Sequence, residues 1–524
     1  ERLPHYTAPS VIYDNVEDLQ NDRPSFYNQL VSSEVDLTEP VTYNIAELGF
    51  YAQAETNVSD NLKAEFGLRW DGWNFGGGEP PLNEALLNST LTYKGKPIDN
   101  SATISDMNNW QPRLQLTWDT KGDGNEVIKF GAGIFVAPIT TQPVTQSFNN
   151  NGFTHKNITF NGFDDIMTNL GSGVFADQST WLSSKDLSAL PPVASSITTV
   201  DADFEMPSAF KTNLSYNRFL TDKIRVGVTA SYTQSYNDNY WLEVNVASDG
   251  VNPVDGREVV TAADPNLSSV TIFTNANWTG QVMSLVLDVT GKLGKDGLIY
   301  AAYTKAQNLG GTNYNGGGQG AGLEFVGSDY INRYRTHETA FGNGVGDKLV
   351  FTLATPTFKG FNIGLSLITA QQRRFTITTG GNPDNGNSND VAFIPQDLAD
   401  KDPLLASVAE EVRDVIDQGA GTISRINAGK QPWLYQTSAS ISRRFEFAGK
   451  YGFTVRADIF NVLNLINASS GYYNQVATSA SENGEQSVQL FNWDGTGYTT
   501  NAGAGRYVRQ GNPYNIQLGV KFDF

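Results

Sequence analysis

The stretch Tyr514-Asn-Ile-Gln-Leu-Gly-Val-Lys-Phe-Asp-Phe524 decides the fold of this chain. Its apolar residues occupy every second position, and polar residues and Gly519 fill the positions between them. A period of two is that of a β-strand with one apolar face and one polar face. In a soluble sandwich the apolar face points into a core, whereas in a membrane barrel it points to lipid and the polar face lines a lumen. The strand alone fits both architectures.

The same alternation recurs along the chain, for example at 48–54, 62–70, 114–118 and 128–134. It predicts roughly thirteen strands of about ten residues, the length that a tilted strand needs to cross a bilayer. Short turns alternate with long loops, which is typical of a transmembrane barrel with periplasmic turns and extracellular loops. A propeller or solenoid would repeat at a fixed period, and loops of this length are uncommon in compact soluble domains. We therefore predict an all-β fold, a transmembrane antiparallel β-barrel.

The composition agrees with this prediction. The chain has 524 residues, of which 39% are hydrophobic, and it contains no apolar run of the roughly 18 residues that a transmembrane helix needs. A helical membrane protein is therefore excluded. Charged residues make up 17%, below the quarter or so that is usual for soluble domains, because lipid-facing positions exclude charge. The net charge of -19 argues against nucleic acid as a partner.

Few residues are suited to covalent chemistry. The sequence has no Cys, and its three His are His5, His155 and His337, scattered in or near predicted loops. A thiolate zinc site is therefore excluded, and no Gly-x-Ser-x-Gly elbow accompanies the histidines. We expect that the protein is not an enzyme, which argues against an outer-membrane phospholipase or protease.

Aromatic residues of the loops are the candidate ligand-binding residues, because aromatic rings stack on sugars and peptides. They are Trp73, Phe75, Trp181, Tyr240, Trp241 and Trp493. The alternative is that these rings pack the loops together or lie in the interfacial girdle of the barrel. The sequence leaves both interpretations open, and it weights packing more heavily.

The segment Asp384-Asn-Gly-Asn-Ser-Asn-Asp390 is a candidate calcium site, since calcium takes oxygen ligands from flexible acidic turns. Its possible ligands are Asp384, Asn385, Asn387, Asn389 and Asp390. A plain Asx-rich turn is the alternative, because a bidentate Glu at the proper distance is missing. No other cofactor is expected.

Two further patterns lie on the predicted barrel and loops. Charges on the polar face, including Glu65, Arg69, Lys129, Arg225, Arg456 and Asp458, are expected to pair with one another or with a plug. Apolar residues within 404–418 follow a helical period, which predicts a short amphipathic helix on an outer loop.

The direction of the strands predicts the position of both ends. If the long loops are extracellular, the last strand ends at the periplasm, and an odd strand count places the start of the chain outside. We therefore assign residues 1–39 to an extracellular loop segment and residues 40–524 to the barrel. A closed antiparallel barrel of the standard type needs an even count, so the chain is expected to be the C-terminal part of a larger barrel.

Several stretches carry a resemblance to a known family: 48–53, 62–71, 110–114, 128–135, 384–395, 456–464 and 516–524. Their order and spacing resemble TonB-dependent outer-membrane receptors, in particular the Oar-like branch common in Bacteroidota, and the closing Phe524 resembles the terminal Phe of outer-membrane barrels. The resemblance implies a plugged barrel of about 22 strands in the outer membrane of a Gram-negative bacterium. This sequence shows neither plug nor TonB box.

The resemblance also implies the function and the partners. The expected function is TonB-dependent transport of a ligand too large for porins, captured by the outer loops and conducted through a polar lumen. A role in protein secretion or surface assembly is the alternative within the family, and an adhesin or glycan-binding protein is a third. The expected partners are the N-terminal plug and early strands, TonB acting through the plug, a surface lipoprotein, lipid and lipopolysaccharide.

Overall fold

The computed structural model describes residues 10–21, 23–31, 42–76, 78–152, 156–170, 196–267, 269–276, 279–310, 337–338, 346–385, 391–425, 427–447, 451–480 and 486–523. Most regular structure in these ranges is β-strand. The helices are short, and none within the described ranges is long and apolar enough to cross a membrane. They are Val16–Gln20, Glu84–Leu87, Gln142–Asn149, Phe163–Leu170, Gln396–Lys401, the 3-10 helix Pro403–Ser407, Glu410–Gly419 and Val462–Ile466.

One large sheet dominates the fold. Thirteen of its strands form a continuous path in which each pairs antiparallel with the next along the chain, and the two-residue strand His337–Glu338 pairs at one end of the eighth. We number the thirteen β1 to β13. In order they are Ala46–Ser59, Leu62–Asn74, Ser105–Asp119, Glu126–Val136, Ser208–Phe219, Ile224–Tyr236, Gln281–Leu293, Gly297–Gly310, Gly346–Ala354, Phe361–Ala370, Leu434–Phe447, Tyr451–Phe460 and Asn515–Asp523. The predicted strand number and the antiparallel arrangement are confirmed.

Short and long connections alternate along this sheet. The long connections are 75–104, 137–207, 237–280, 311–345, 371–433 and 461–514, and the turns between them are a few residues each. Because neighbouring strands are antiparallel, every long connection leaves the same end of the sheet. The predicted asymmetry between the two ends is therefore confirmed.

The two faces of the sheet differ in polarity as the alternation predicts. Along β10, the exposed side chains Phe361, Ile363, Leu365 and Leu367 alternate with Asn362, Gly364, Ser366 and Ile368. The same apolar row continues across the sheet, because Leu365 pairs with Leu353 of β9 and Ala439 of β11. One face therefore presents a continuous band of exposed apolar side chains, which is the surface that a lipid bilayer covers.

The first and last strands of the path form open edges. Every residue of β1 is exposed, and among the described residues neither β1 nor β13 pairs with a strand on its outer side. Because thirteen is odd, β1 and β13 run in the same direction and cannot be antiparallel neighbours of each other.

The segment before the sheet has more regular structure than the predicted loop. Ser10–Ile12 pairs with Phe26–Val31, which pairs in turn with Lys156–Asn161 from the long connection 137–207. The sequence gives no alternation here because the strands are short. The described part of 1–39 therefore associates with a long loop, and the domain boundary near residue 40 stays a prediction.

The long connections fold into layers with buried apolar cores. The first loop core, from connections 75–104, 137–207 and 237–280 and the adjoining strand ends, comprises Tyr43, Trp73, Phe75, Ile104, Val144, Val200, Phe204, Met206, Trp241 and Phe273. The second loop core, from connections 371–433 and 461–514, comprises Phe375, Ile377, Ala392, Ile394, Leu405, Ala409, Val412, Val415, Ile416, Val476, Val488, Leu490, Phe491 and Tyr498. The predicted amphipathic helix is confirmed as Pro403–Ser407 and Glu410–Gly419, whose apolar side chains enter the second core.

A matched pair of substitutions tests which face meets lipid. We expect Leu365→Arg to lower the free energy of unfolding by about 2–4 kcal/mol, because a charge on the lipid face of a barrel strand is desolvated. Ser366→Arg, on the opposite face of the same strand, is expected to leave it nearly unchanged. Urea unfolding of both variants in phospholipid vesicles measures the difference, and equal losses would contradict the assignment of the faces.

Candidate functional site

The polar face of the sheet carries ion pairs between residues two positions apart on one strand or on adjacent strands. Arg69 Nε lies 2.6 Å from Asp71 Oδ2, and Arg456 Nη2 lies 2.7 Å from Asp458 Oδ1. Arg225 Nη2 donates to Asp288 Oδ2 of the neighbouring strand at 2.8 Å. The prediction that charges of this face pair with one another is confirmed for these three arginines. Their charges are therefore neutralised within the face.

Four of the predicted ligand-binding aromatics are buried. Trp73, Phe75 and Trp241 belong to the first loop core, and Tyr240, which precedes Trp241 on the strand Asn239–Glu243, is buried outside that core with 3% of its surface exposed. The Trp241 ring packs edge-on against Phe273, with ring centroids 5.0 Å apart. In this conformation these four rings are closed to a ligand, which favours the packing interpretation. Each buried aromatic contributes roughly 1.5–3 kcal/mol to the loop layer.

The other two predicted aromatics differ from these four. Trp493 is half-buried at the margin of the second loop core, and its ring centroid lies 4.9 Å from that of Tyr498. Trp181 lies outside the described residues. The structure therefore brings Trp73, Phe75 and Trp241 together and leaves Trp493 at a separate loop core.

Asp201 joins three of the long connections. Its Oδ2 accepts hydrogen bonds from Lys94 Nζ at 2.7 Å, Thr274 Oγ1 at 2.7 Å and Tyr93 Oη at 2.9 Å. Burial alone would raise the pKa of this carboxyl, but the hydrogen bonds from Lys94 and Thr274 outweigh it and lower the pKa. Asp201 therefore stabilises the loop layer in its ionised form.

A buried ion pair joins three of the long connections. Asp255 and Arg257 belong to the turn that connects the two strands of the hairpin Ala247–Val251 and Glu258–Thr261. Their side chains are fully buried, and Arg257 Nε lies 2.6 Å from Asp255 Oδ2. Arg257 Nη2 also donates to the Val391 carbonyl at 3.0 Å, and Tyr498 Oη donates to Asp255. The pair therefore links connection 237–280 to 371–433 and 461–514.

The predicted calcium ligands are only partly described. Asn387, Asn389 and Asp390 lie outside the described residues. Asp384 is buried, its carbonyl accepts from Val260 N at 2.8 Å, and Asn385 Nδ2 donates to the Val260 carbonyl at 3.0 Å. These contacts hold the start of the segment against the hairpin Ala247–Val251 and Glu258–Thr261. The calcium site stays a prediction.

The residues that organise the loops were not among the predicted site residues. Asp201 lies in a polar stretch without a motif, and Asp255-Gly-Arg257 reads as an ordinary turn in the sequence. Their partners are far along the chain, so no local pattern distinguishes them from exposed charges.

The Asp201 contacts predict a pH dependence. Because its folded pKa is lowered, the stability it contributes is present above the unfolded pKa of about 3.9 and is lost as pH falls through the folded pKa. Hydrogen exchange of 92–97 and 270–275, corrected for intrinsic rates, is expected to lose protection below about pH 4. Asp201→Asn is expected to lose about 2 kcal/mol of protection already at pH 7.

Asp203→Asn is the matched control for this experiment. The Asp203 side chain is 76% exposed and lies 3.8 Å from Lys94 Nζ, so its removal is expected to change protection little. Equal losses in the two variants at pH 7 would show that Asp201 has no special role.

The buried pair at Asp255 and Arg257 gives a second prediction. Arg257→Met is expected to lower protection of 375–380 and 258–261 by about 3–5 kcal/mol, because it leaves the Asp255 charge buried without its cation. Adding Asp255→Asn is expected to restore part of that loss, since the remaining side chain is neutral. Hydrogen exchange at these two segments measures both effects, and a double variant no better protected than Arg257→Met would refute the explanation by charge.

Comparison with known proteins identifies the family. The model of the outer membrane beta barrel domain matches residues 5–509. No curated protein sequence matches the chain significantly. Among solved structures, the outer membrane transporter YddB from Escherichia coli is similar with 11% identity and a TM-score of 0.43 over 95% of this chain and 59% of its own.

Two further solved structures are similar at the same level. The FrpB iron transporter from Neisseria meningitidis (F5-1 variant) has 10% identity and a TM-score of 0.43, over 95% of this chain and 52% of its own. The ferripyoverdine receptor of Pseudomonas aeruginosa has 10% identity and a TM-score of 0.40, over 95% and 44%. The chain thus spans about half the length of the solved structures it matches, and similarity at this level identifies no ligand. The match of the family model to nearly the whole chain shows that this protein belongs to the outer membrane β-barrel domain family.

Proposed function

We propose that the protein is part of a TonB-dependent receptor that transports a ligand too large for porins across the outer membrane. The observation that carries the proposal is the folded loop layer at one end of the sheet, which has its own buried cores above a polar face. Loops of this size, ordered by their own cores, suit the capture of a large ligand at the cell surface. The polar face below them suits its passage.

The open edges of the sheet support the part of the proposal that concerns further strands. Backbone groups at a barrel edge have no water to bind within the bilayer, so edges in a membrane are closed by pairing. We infer that other strands of the same gene product, in this polypeptide or a separate one, complete the barrel between β13 and β1. A plug inside the completed barrel would then gate passage and receive energy from TonB.

The direction of β13 supports the proposed orientation. The strand leaves the end with the long connections and finishes at the end with short turns, which in such barrels is the periplasmic end. The loop layer is then extracellular, together with the segment before β1. A surface lipoprotein and lipopolysaccharide are the partners that this placement would bring to the loops.

Among the described aromatic residues that were expected to bind ligand, Trp493 is the best candidate for ligand contact, because it is only half-buried at the margin of the second loop core. The other four described aromatics act in this proposal as the packing that holds the loops in shape. The barrel itself carries out no covalent step, and its residues bind, exclude and release.

Two alternative functions would give results in cells that differ from those expected for TonB-dependent transport. A role in protein secretion or surface assembly would change the set of proteins at the cell surface without affecting uptake. An adhesin would bind glycan on intact cells, and that binding would be insensitive to the energy state of the membrane.

Uptake in cells with and without the gene tests the proposal. We expect at least one of four labelled probe classes, namely oligosaccharides, peptides, a ferric siderophore and cobalamin, to accumulate only in cells that carry the gene. A protonophore is expected to abolish this accumulation, because TonB transmits the proton-motive force, while entry of a porin-sized sugar stays unchanged. Uptake that is independent of the gene or of the protonophore for all four probes would reject TonB-dependent transport.

A further inference from the structure

One row of the polar face has an unusual arrangement of residues. The backbone pairing places Gln53, Gly67, Arg113, Gly133, Lys211 and Thr233 side by side on six adjacent strands. Paired residues of antiparallel strands project to the same face, so Arg113 and Lys211 flank a position that has no side chain. Their Cα atoms are roughly 10 Å apart, twice the spacing of neighbouring strands. The row therefore holds two cations with a gap between them.

The Phe135 ring fixes both cations beside this gap. Its centroid lies 4.5 Å from the guanidinium carbon of Arg113 and 5.5 Å from Lys211 Nζ. Phe135 is half-buried and precedes Val136, the last residue of β4. Gly133 cannot be replaced without displacement, because a Cβ there would lie 3.1 Å from Arg113 Cγ and 3.3 Å from Phe135 Cε2. The Arg113 stem and the Phe135 ring thus cover Gly133, and the cationic ends of Arg113 and Lys211 lie around that ring.

The charges of this pair are not neutralised as the other arginine charges of the face are. Arg69, Arg225 and Arg456 each contact a carboxylate, whereas within the described ranges neither Arg113 nor Lys211 has one within 4.0 Å. Arg113 Nη2 donates to Oε1 of the neutral Gln111 side chain at 3.3 Å, and Nε2 of the same side chain donates to Asp71. Two like charges held beside one ring without a counterion favour an incoming anion.

The pair lies where a ligand would enter the lumen. Phe135 is one residue from the end of β4, and Lys211 is near the start of β5, at the end of the sheet from which the long connections leave. Arg113, Phe135 and Lys211 line a groove of about 430 Å³, and Gln115, Asn213 and Ser231 add amide and hydroxyl groups to it. Glu65 also lines the groove, which therefore offers two cations and several neutral hydrogen-bonding groups beside one carboxylate.

Acidic residues of the next row limit anion binding to the part of the groove beside Arg113 and Lys211. Glu65 and Glu55 face the same side, and Lys63 Nζ lies 3.6 Å and 2.7 Å from their carboxylates. The chain as a whole carries -19, so it repels an anion at long range. Binding at the gap is therefore a local property of Arg113 and Lys211.

We propose that Arg113 and Lys211, separated by Gly133 and held by Phe135, form a binding site for the carboxylate of a transported acidic ligand. The proposal rests on the proposed function and narrows its ligand to those bearing carboxylates. Both cations line the same groove and bind one carboxylate there, and the amides and hydroxyls of the groove bind the neutral groups next to it. An acidic oligosaccharide and an acidic peptide share this chemistry.

Calorimetric titration of the purified full-length protein in detergent tests the site. The probes are tetragalacturonate and its methyl ester for the sugar source, and tetraglutamate and tetraglutamine for the peptide source. We expect one acid or both to bind, and its neutral counterpart to bind at least about tenfold more weakly, because charge-assisted hydrogen bonds are lost. The acid that binds identifies the source, and a wild-type protein that binds neither acid overturns the proposal.

Variants localise the binding. Arg113→Gln with Lys211→Gln is expected to weaken binding of the acid at least about tenfold. Gly133→Ala keeps both charges but displaces the Arg113 stem and the Phe135 ring, and it is expected to weaken binding as well. Lys129→Gln is the matched control. Lys129 lies on the same strand and the same face as Gly133, about 13 Å away from it. In the described part of the chain it also has no carboxylate within 4.0 Å. Unchanged affinity in the double variant, or an equal loss in Lys129→Gln, overturns the proposal.

Uptake separates this inference from the proposed function. If the purified protein binds the acid through these residues but cells show no energy-dependent uptake, the transport proposal fails and the site stands. If energy-dependent uptake of the acid is the same in wild type and in the double variant, transport stands and the site is overturned. Retention of the heat-modifiable barrel band on gels shows that each variant has folded.

Discussion

The structure depends on the hydrogen-bond ladder that runs from β1 to β13. In a bilayer the backbone N–H and C=O groups of a strand have no water to bind, so each strand must bond to its neighbours. The ladder fixes the strands in an extended form with a period of two, and this period sends apolar side chains to lipid and polar ones to the other side. The low charged fraction and the exposed leucines and phenylalanines follow from the same constraint.

Outside the membrane the chain is stabilised differently. The long connections bury apolar side chains in several cores, as a soluble domain does, and some of their carboxylates are buried against cations and hydroxyls. Asp201 and the pair of Asp255 and Arg257 are of this kind, and each joins connections that are far apart in sequence. Strands with a lipid-facing side thus alternate along the chain with connections that bury apolar side chains in cores of their own.

The alternation of residues predicted the strands well, because the membrane imposes the pattern on every one of them. Alternation alone does not predict where a strand lies in the fold. The stretch Phe375–Gly380 lies in a long connection, is buried throughout, and pairs in parallel with Gln486–Trp493. Its alternation Phe-Thr-Ile-Thr does not distinguish a barrel strand from a strand of a loop core. The aromatics show a second limit, since Trp73 and Trp241 are suited both to packing and to ligand stacking, and only their contacts in three dimensions decide between these roles. Arg113 and Lys211 are neighbours of Gly133 because of the register between the strands. The spacing of these residues in the sequence does not predict that register.

The buried pair of Asp255 and Arg257 has a consequence for how surface loops of this protein can diverge. Extracellular loops of a barrel are usually regarded as independent units that can be exchanged one at a time. Here the hairpin that carries the pair, the segment around Val391 and the strand that carries Tyr498 share one set of contacts. A graft of any one of these loops from a relative would leave a charge or a hydroxyl without its complement, so these three loops should be inherited and engineered as a single module.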